Sequence, residues 1–184
     1  MTDLAPDDAE AVGQAAALLV WAFAQHWPNA WPTQQAALDE VRECLARERV
    51  CRVARSADGT VLGWVGGIPQ YDGHAWEVHP LVVHPEHRRQ GIGRALMQDL
   101  EALAAARGGL TLFLGSDDED NMTSLGGVEL YPDPLAHLAR LHDRRGHPFG
   151  FYQRLGFVVV GVMPDANGFG KPDIYMAKRI ARNG

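Results

Sequence analysis

Cysteine is scarce in this sequence: Cys44 and Cys51 are the only two in 184 residues. They lie seven positions apart on different predicted elements. That spacing matches neither a zinc pair nor a redox Cys-x-x-Cys, so both read as small core hydrophobes. Positive charge is short as well. Seventeen Lys and Arg against 23 Asp and Glu leave a formal net charge of −6 and a pI near 5.7. A nucleic-acid binder normally carries the opposite sign, whereas acidic clefts attract cationic ligands. Long apolar runs are missing too. The longest, residues 15–24, has ten residues, about half a membrane span. Its N-terminal flank holds Asp3, Asp7, Asp8 and Glu10, where a signal peptide needs positive charge. A cytoplasmic protein with no membrane segment is the expectation.

What is present is globular. Hydrophobic residues make up 46% and charged residues 22%, near the averages for folded domains. A chain of this length buries roughly 70% of its unfolded surface without a disulfide or metal staple. No internal repeat or linker divides it, so residues 1–184 are expected to form a single domain. Val12, Ala15, Ala16, Leu19, Ala22 and Phe23 recur at helical period up to the Trp27-Pro28 stretch. Thr33 is placed to cap a second helix bearing Leu38, Val41 and Leu45 on one face. Strands are predicted at 50–55 and 61–68, joined through Asp58-Gly59, and at 75–83, stopped by Pro85. A helix follows to about Arg107, ended by Gly108-Gly109, then a strand at 110–114. Beyond an acidic segment, helices are predicted at 132–145 and 147–155, and strands at 157–163 and 174–178. The order is α+β with strand–helix–strand at its centre.

The turn before the long helix carries Arg88-x-x-Gly91-x-Gly93, with Arg89 and Arg94 beside it. Closely spaced glycines let backbone approach a ligand, while free amides and the helix dipole favour an anion. Arginine forks add charge-assisted contacts to phosphate. The third glycine of a dinucleotide fingerprint is missing, as is the Gly-Lys-Ser/Thr of a P-loop. In context, the stretch from Val82-Val83-His84-Pro85 through Arg88-Arg89-Gln90-Gly91-Ile92-Gly93-Arg94 to Ala95-Leu96 resembles motif A of the GNAT superfamily of N-acetyltransferases. Phe151-Tyr152-Gln153-Arg154-Leu155-Gly156-Phe157 resembles that family's motif B helix entering the next strand. The insertion between Leu114 and Phe151 is similar to one subgroup, the aminoglycoside 6′-N-acetyltransferases. So are Gly66-Gly67-Ile68-Pro69-Gln70-Tyr71, Trp76-Glu77-Val78-His79-Pro80-Leu81 and His147-Pro148-Phe149. This likeness covers about residues 62–180 and leaves little before them beyond Trp27-Pro28.

The resemblance implies a GNAT fold: a mixed, mostly antiparallel sheet with a central parallel strand pair, flanked by helices. It implies acetyl-CoA as co-substrate, held at Arg88, Arg89, Gln90, Gly91, Ile92, Gly93 and Arg94 for the pyrophosphate. Backbone groups of Leu81, Val82 and Val83 would meet the pantetheine arm and supply oxyanion-type stabilisation. Glu77 and His79, two apart on a strand, project from one face. Glu77 is assigned to bind the acceptor ammonium and help take its proton, and His79 to relay it. Tyr152 is assigned as the acid for the departing thiolate, with packing among Phe149, Phe151 and Phe157 as its alternative use. Asp117 and Asp118 of the acidic segment are candidates for a polycationic substrate, and Trp27 and Tyr71 for stacking on sugar rings, with core packing an equal alternative. The histidines at 74, 79, 84 and 87 lack helical i,i+4 spacing, so no metal site is expected. A homodimer through the C-terminal strands follows from the resemblance. Another amine acceptor (a polyamine, a small metabolite or a protein amine) or a non-catalytic acyl-CoA sensor stands as the alternative. The sensor fits less well, since binding alone needs no Glu77, His79 and Tyr152.

Overall fold

The computed structural model describes residues 1–181. The chain divides into two compact units, one built from Met1–Leu112 with the C-terminal residues from Ile180, the other from Phe113–Arg179.

In the first unit α1 (Ala9–Phe23) starts where the Asp8 carboxylate accepts the Ala11 amide at 3.0 Å. A carboxylate at this end satisfies a free amide and complements the helix dipole. Val12, Ala15, Ala16 and Leu19 face inward, as their period predicts. The Thr33 hydroxyl accepts the Ala36 amide at 3.2 Å and opens α2 (Gln34–Cys44). Next come β2 (Val50–Arg55), β3 (Val61–Gln70) and β4 (Ala75–Val83), paired antiparallel in sequence order. A two-residue β1 (Thr2–Asp3), unforeseen from the sequence, pairs with β2. Two residues carry no periodicity, and this strand exists only through its partner. Helix α3 (Ile92–Ala106) buries Leu96, Met97, Leu100 and Ala104. Each fully buried leucine contributes about 2 kcal/mol of transfer free energy. Trp64 on β3 is fully buried, with its indole N–H donating to the Ala15 carbonyl at 3.0 Å. Cys44 and Cys51 are buried here as expected. The Leu110 and Thr111 amides both donate to the His74 carbonyl and start β5 (Thr111–Asp117) parallel to β4.

In the second unit the order is β5, β7 (Asp173–Arg179), β6 (Val158–Met163), and β6 and β7 are antiparallel. The helix expected at 132–145 shrinks to α4 (Pro134–Leu138). Beyond it the backbone is engaged elsewhere: Ser124 N–H donates to His142 C=O, and Arg144 N–H to Met122 C=O, around a Thr123–Asp143 bridge. The short aromatic helix is α5 (Phe149–Gln153). The observed class is α+β with one parallel pair, as expected. Among the described residues no helix is long and apolar enough to cross a membrane.

Candidate active site

The first unit builds one part of the site on an irregularity in β4. Gly67 pairs with Val78 and Val65 with Leu81, so β4 takes three steps where β3 takes two. The extra residue falls at His79-Pro80. Bulges of this kind bend a strand and re-aim its side chains. Gly66 lies against it: a β-carbon there would come within 2.2 Å of the His79 carbonyl oxygen. Along β4, Trp76, Val78, Pro80 and Val82 are buried, while Glu77, His79, Leu81 and Val83 are half-buried. Glu77 and His79 therefore share a face, as the alternation predicts.

Both have partners. Gln70 Nε2 donates to Glu77 Oε2 at 3.4 Å. His79 Nε2 stands 3.6 Å from Oε2 of Glu40, on α2, and its ring is tilted against Trp31 at 5.9 Å. The Glu40 contact raises the His79 pKa above its ordinary value against the opposing effect of burial, and the Glu40 and Glu77 charges reinforce it. Burial pushes Glu40 upward, yet hydrogen bonding and charge at His79, with a hydrogen bond from Trp31, hold it below the usual carboxylate range. Glu40 and Trp31 were missed in the sequence. They sit in the N-terminal third, outside both motifs, and Glu40 lies off the apolar stripe that defined α2.

The loop before α3 has the form expected of an anion cradle. Arg89 at φ 61° and Gly91 at φ 88° both adopt left-handed backbone. At Gly91 space is open, but a side chain would be strained by the dihedral. The first intrahelical bond runs from the Ala95 amide to the Gly91 carbonyl at 3.0 Å, and no side chain caps the helix. The preceding amides have no intrahelical acceptor. Arg88, Arg89, Gln90 and Arg94 are exposed around them, Ile92 and Gly93 half-buried. Arg88 Nε is steadied on the Val83 carbonyl at 3.3 Å. Donors, dipole and three guanidinium groups fit a pyrophosphate. Leu81, Val82 and Val83 pair with β3 through Val65, Trp64 and Gly63.

The second unit holds Tyr152 on α5, half-buried, with Phe151 at 5.1 Å and Phe157 at 5.8 Å. Burial pushes its phenol up, so the group stays protonated. His147, another residue without an assigned role, is buried just ahead of α5. The Phe149 amide donates to its Nδ1 at 3.2 Å, so Nε2 carries the hydrogen and faces the Asp117 carbonyl at 3.0 Å. Burial keeps this imidazole below its usual value, against the nearby aspartates. The neutral ring thus ties α5 to the end of β5. Only its place in the His147-Pro148-Phe149 motif marked it in the sequence.

The acidic segment divides. Asp117 is half-buried and accepts from the Asn167 amide group. Asp118, expected as a substrate contact, is instead fully buried. Its carboxylate accepts the Met122 amide at 2.6 Å, the Thr123 amide at 2.8 Å and the Thr123 hydroxyl at 2.7 Å. The expectation is corrected on that ground: these bonds turn the carboxylate inward and make it the anchor of its loop. Asp118→Ala is expected to lose about 3 kcal/mol or more, because three buried donors are stranded at once. Urea denaturation measures it; a loss no larger than that of Asp117→Ala contradicts the anchoring role. Trp27 is half-buried against Phe23 and His26, and Tyr71 is 79% exposed at φ 50°.

An uncapped Gly-rich helix start with flanking arginines, beside a bulged strand, suits a transferase with a phosphate-bearing co-substrate. The model of the acetyltransferase (GNAT) family matches residues 7–131, and the chain belongs to that family. It is an acetyl-CoA-dependent N-acetyltransferase. Among solved structures, it is similar to an aminoglycoside 6′-N-acetyltransferase complexed with coenzyme A, at 36% identity and TM-score 0.88, over 100% of this chain and 98% of that one. The aminoglycoside 6′-N-acetyltransferase from Enterococcus faecium shares 36% identity with TM-score 0.86, and an aminoglycoside 6′-acetyltransferase type Ii shares 33% with TM-score 0.73, both at the same coverage.

Proposed function

We propose that this protein moves the acetyl group of acetyl-CoA to the 6′-amine of aminoglycosides by direct attack on the thioester, and so confers resistance. The observation that carries this reading is likeness along the whole chain to aminoglycoside 6′-N-acetyltransferases, including the one complexed with coenzyme A. Glu77 binds the incoming ammonium and takes its proton, directly or through water. The freed nitrogen forms a bond to the carbonyl carbon, helped by a backbone amide among Leu81, Val82 and Val83. The carbon–sulfur bond breaks, and the thiolate receives its proton from Tyr152. Against an ordinary thiol pKa near 8.5 that transfer is uphill, and more so than for a free phenol because burial raises Tyr152. Trp27, Tyr71 and Asp117 are read as contacts of the polycationic sugar, and Asp118 is not. Residues 1–184 are read as a single N-acetyltransferase domain, a reading supported by likeness over 100% of the chain to an aminoglycoside 6′-N-acetyltransferase. The protein is read as cytoplasmic and as a homodimer. Edge strand β6 supports the dimer, exposing Val158, Val160 and Met163 in a patch suited to a second copy.

The test is thiol release from acetyl-CoA with purified protein. Kanamycin or tobramycin is compared with spermidine and with a kanamycin analogue carrying a 6′-hydroxyl. Release with the 6′-amines and little with the hydroxyl analogue is expected. Release with spermidine alone moves the chemistry to another amine. No release with any amine, while coenzyme A still binds, supports an acyl-CoA sensor.

A further inference from the structure

We propose that Glu40 is a positioning residue for acetyl transfer: its carboxylate holds His79 as an imidazolium and leaves Glu77 as the only proton acceptor on that face of β4. This deepens the reading above and rests on it for the reaction, though the pairing itself is tested without substrate.

Glu40 and His79 come from different elements. Glu40 sits on α2 with its side chain only 17% exposed, and Oε2 is 3.6 Å from His79 Nε2. A half-buried carboxylate bears a desolvation cost that a paired cation offsets. Trp31 adds a hydrogen bond to Glu40 and a tilted ring against His79. The charged groups acting on His79 are Glu40 from α2, Glu77 from β4 itself and Arg49 from the turn before β2, two acids against one base. That balance favours the protonated ring.

An imidazolium has no lone pair free to accept a proton, so His79 does not serve as the base in the resting enzyme. Its charge is cancelled by Glu40. The unbalanced charge on the face is then the Glu77 carboxylate, which is what an ammonium substrate meets. Without Glu40, two things change together. His79 releases its proton more readily, and where it stays protonated its charge opposes the ammonium at Glu77.

The experiment follows the His79 ring protons by NMR titration of the intact, substrate-free protein, in wild type and in Glu40→Gln, assigned with His79→Asn. Expected are a midpoint above that of free histidine in wild type and a shift to lower pH in Glu40→Gln. In steady-state kinetics, Glu40→Gln should raise KM for the amine about tenfold on the acid side of the new midpoint, with kcat changed far less, as expected for one uncompensated charge in a partly screened site. Glu40→Asp, which keeps the charge, should restore much of the wild-type profile. In the His79→Asn background, the effect of Glu40→Gln on KM should no longer vary with pH around a histidine midpoint. A wild-type midpoint at or below that of free histidine overturns the proposal, even if every variant misfolds. So does a midpoint that ignores Glu40→Gln. A shifted midpoint in a protein that acetylates no aminoglycoside keeps the Glu40–His79 pairing and removes the substrate assignment instead.

Discussion

Glu77→Gln is expected to lower kcat for the amine substrate about a hundredfold or more while leaving coenzyme A affinity unchanged. The acceptor amine arrives protonated near neutral pH, and nitrogen attacks the thioester only through its free lone pair. Something must take that proton, and a positioned carboxylate is worth about 10²–10⁴-fold in such steps. Glutamine keeps the size and planarity of the side chain but cannot accept a proton. Isothermal titration with coenzyme A reports on the motif A loop, whose Arg88, Arg89 and Arg94 lie apart from Glu77 along the chain and need not sense the change. If Glu77→Gln keeps kcat within about threefold across the pH range, solvent takes the proton and Glu77 is only a binding residue. A loss of coenzyme A affinity along with turnover points to a structural defect.

Much of this architecture was legible because its causes are local. The α1 stripe, the Thr33 cap, the glycines before α3 and the alternation on β4 each depend on residues within a few positions of one another. So does the shared face of Glu77 and His79. What stayed hidden depends on register or on distant partners. The extra residue of β4 exists only relative to β3, and β1 only relative to β2. Glu40 was an ordinary polar helix position until α2 brought it to His79.

The acidic segment shows the same limit at shorter range. Its carboxylates look alike in a charge count, yet Asp117 and its neighbour Asp118 have opposite fates. Asp118 is fully buried. It finds the Met122 and Thr123 amides four and five residues ahead and turns inward. Net charge responds to the sum of such residues and not to where each one points. The helix expected at 132–145 failed for a related reason. Helical propensity was in competition with the backbone groups of Met122 and Ser124, and a bridge to that earlier segment of the chain won.

Gly66→Ala is expected to be among the most damaging single-methyl changes in the first unit, costing about 3 kcal/mol or more, whereas Gly67→Ala should cost about 1 kcal/mol. The difference lies in what the new carbon meets. At Gly66 it comes 2.2 Å from the His79 carbonyl oxygen and 3.1 Å from the carbonyl carbon, with the Cys44 sulfur at 2.9 Å. Two of these atoms are backbone, fixed by strand pairing on a central strand whose other neighbour, Cys51 on β2, is opposite Gly66. Relief requires opening β3 from β4 at the bulge. At Gly67 the closest atom is the Leu100 Cδ1 at 2.5 Å, a side-chain end in the core that can give by a small shift where backbone cannot. Because Gly66 lies directly against the His79 backbone, Gly66→Ala should also disturb the His79 titration in whatever fraction folds, and Gly67→Ala should not. Urea unfolding midpoints of the two variants settle the ranking. Equal losses would mean that β3 and β4 adjust freely, and that the bulge is held by something other than the missing side chain at Gly66.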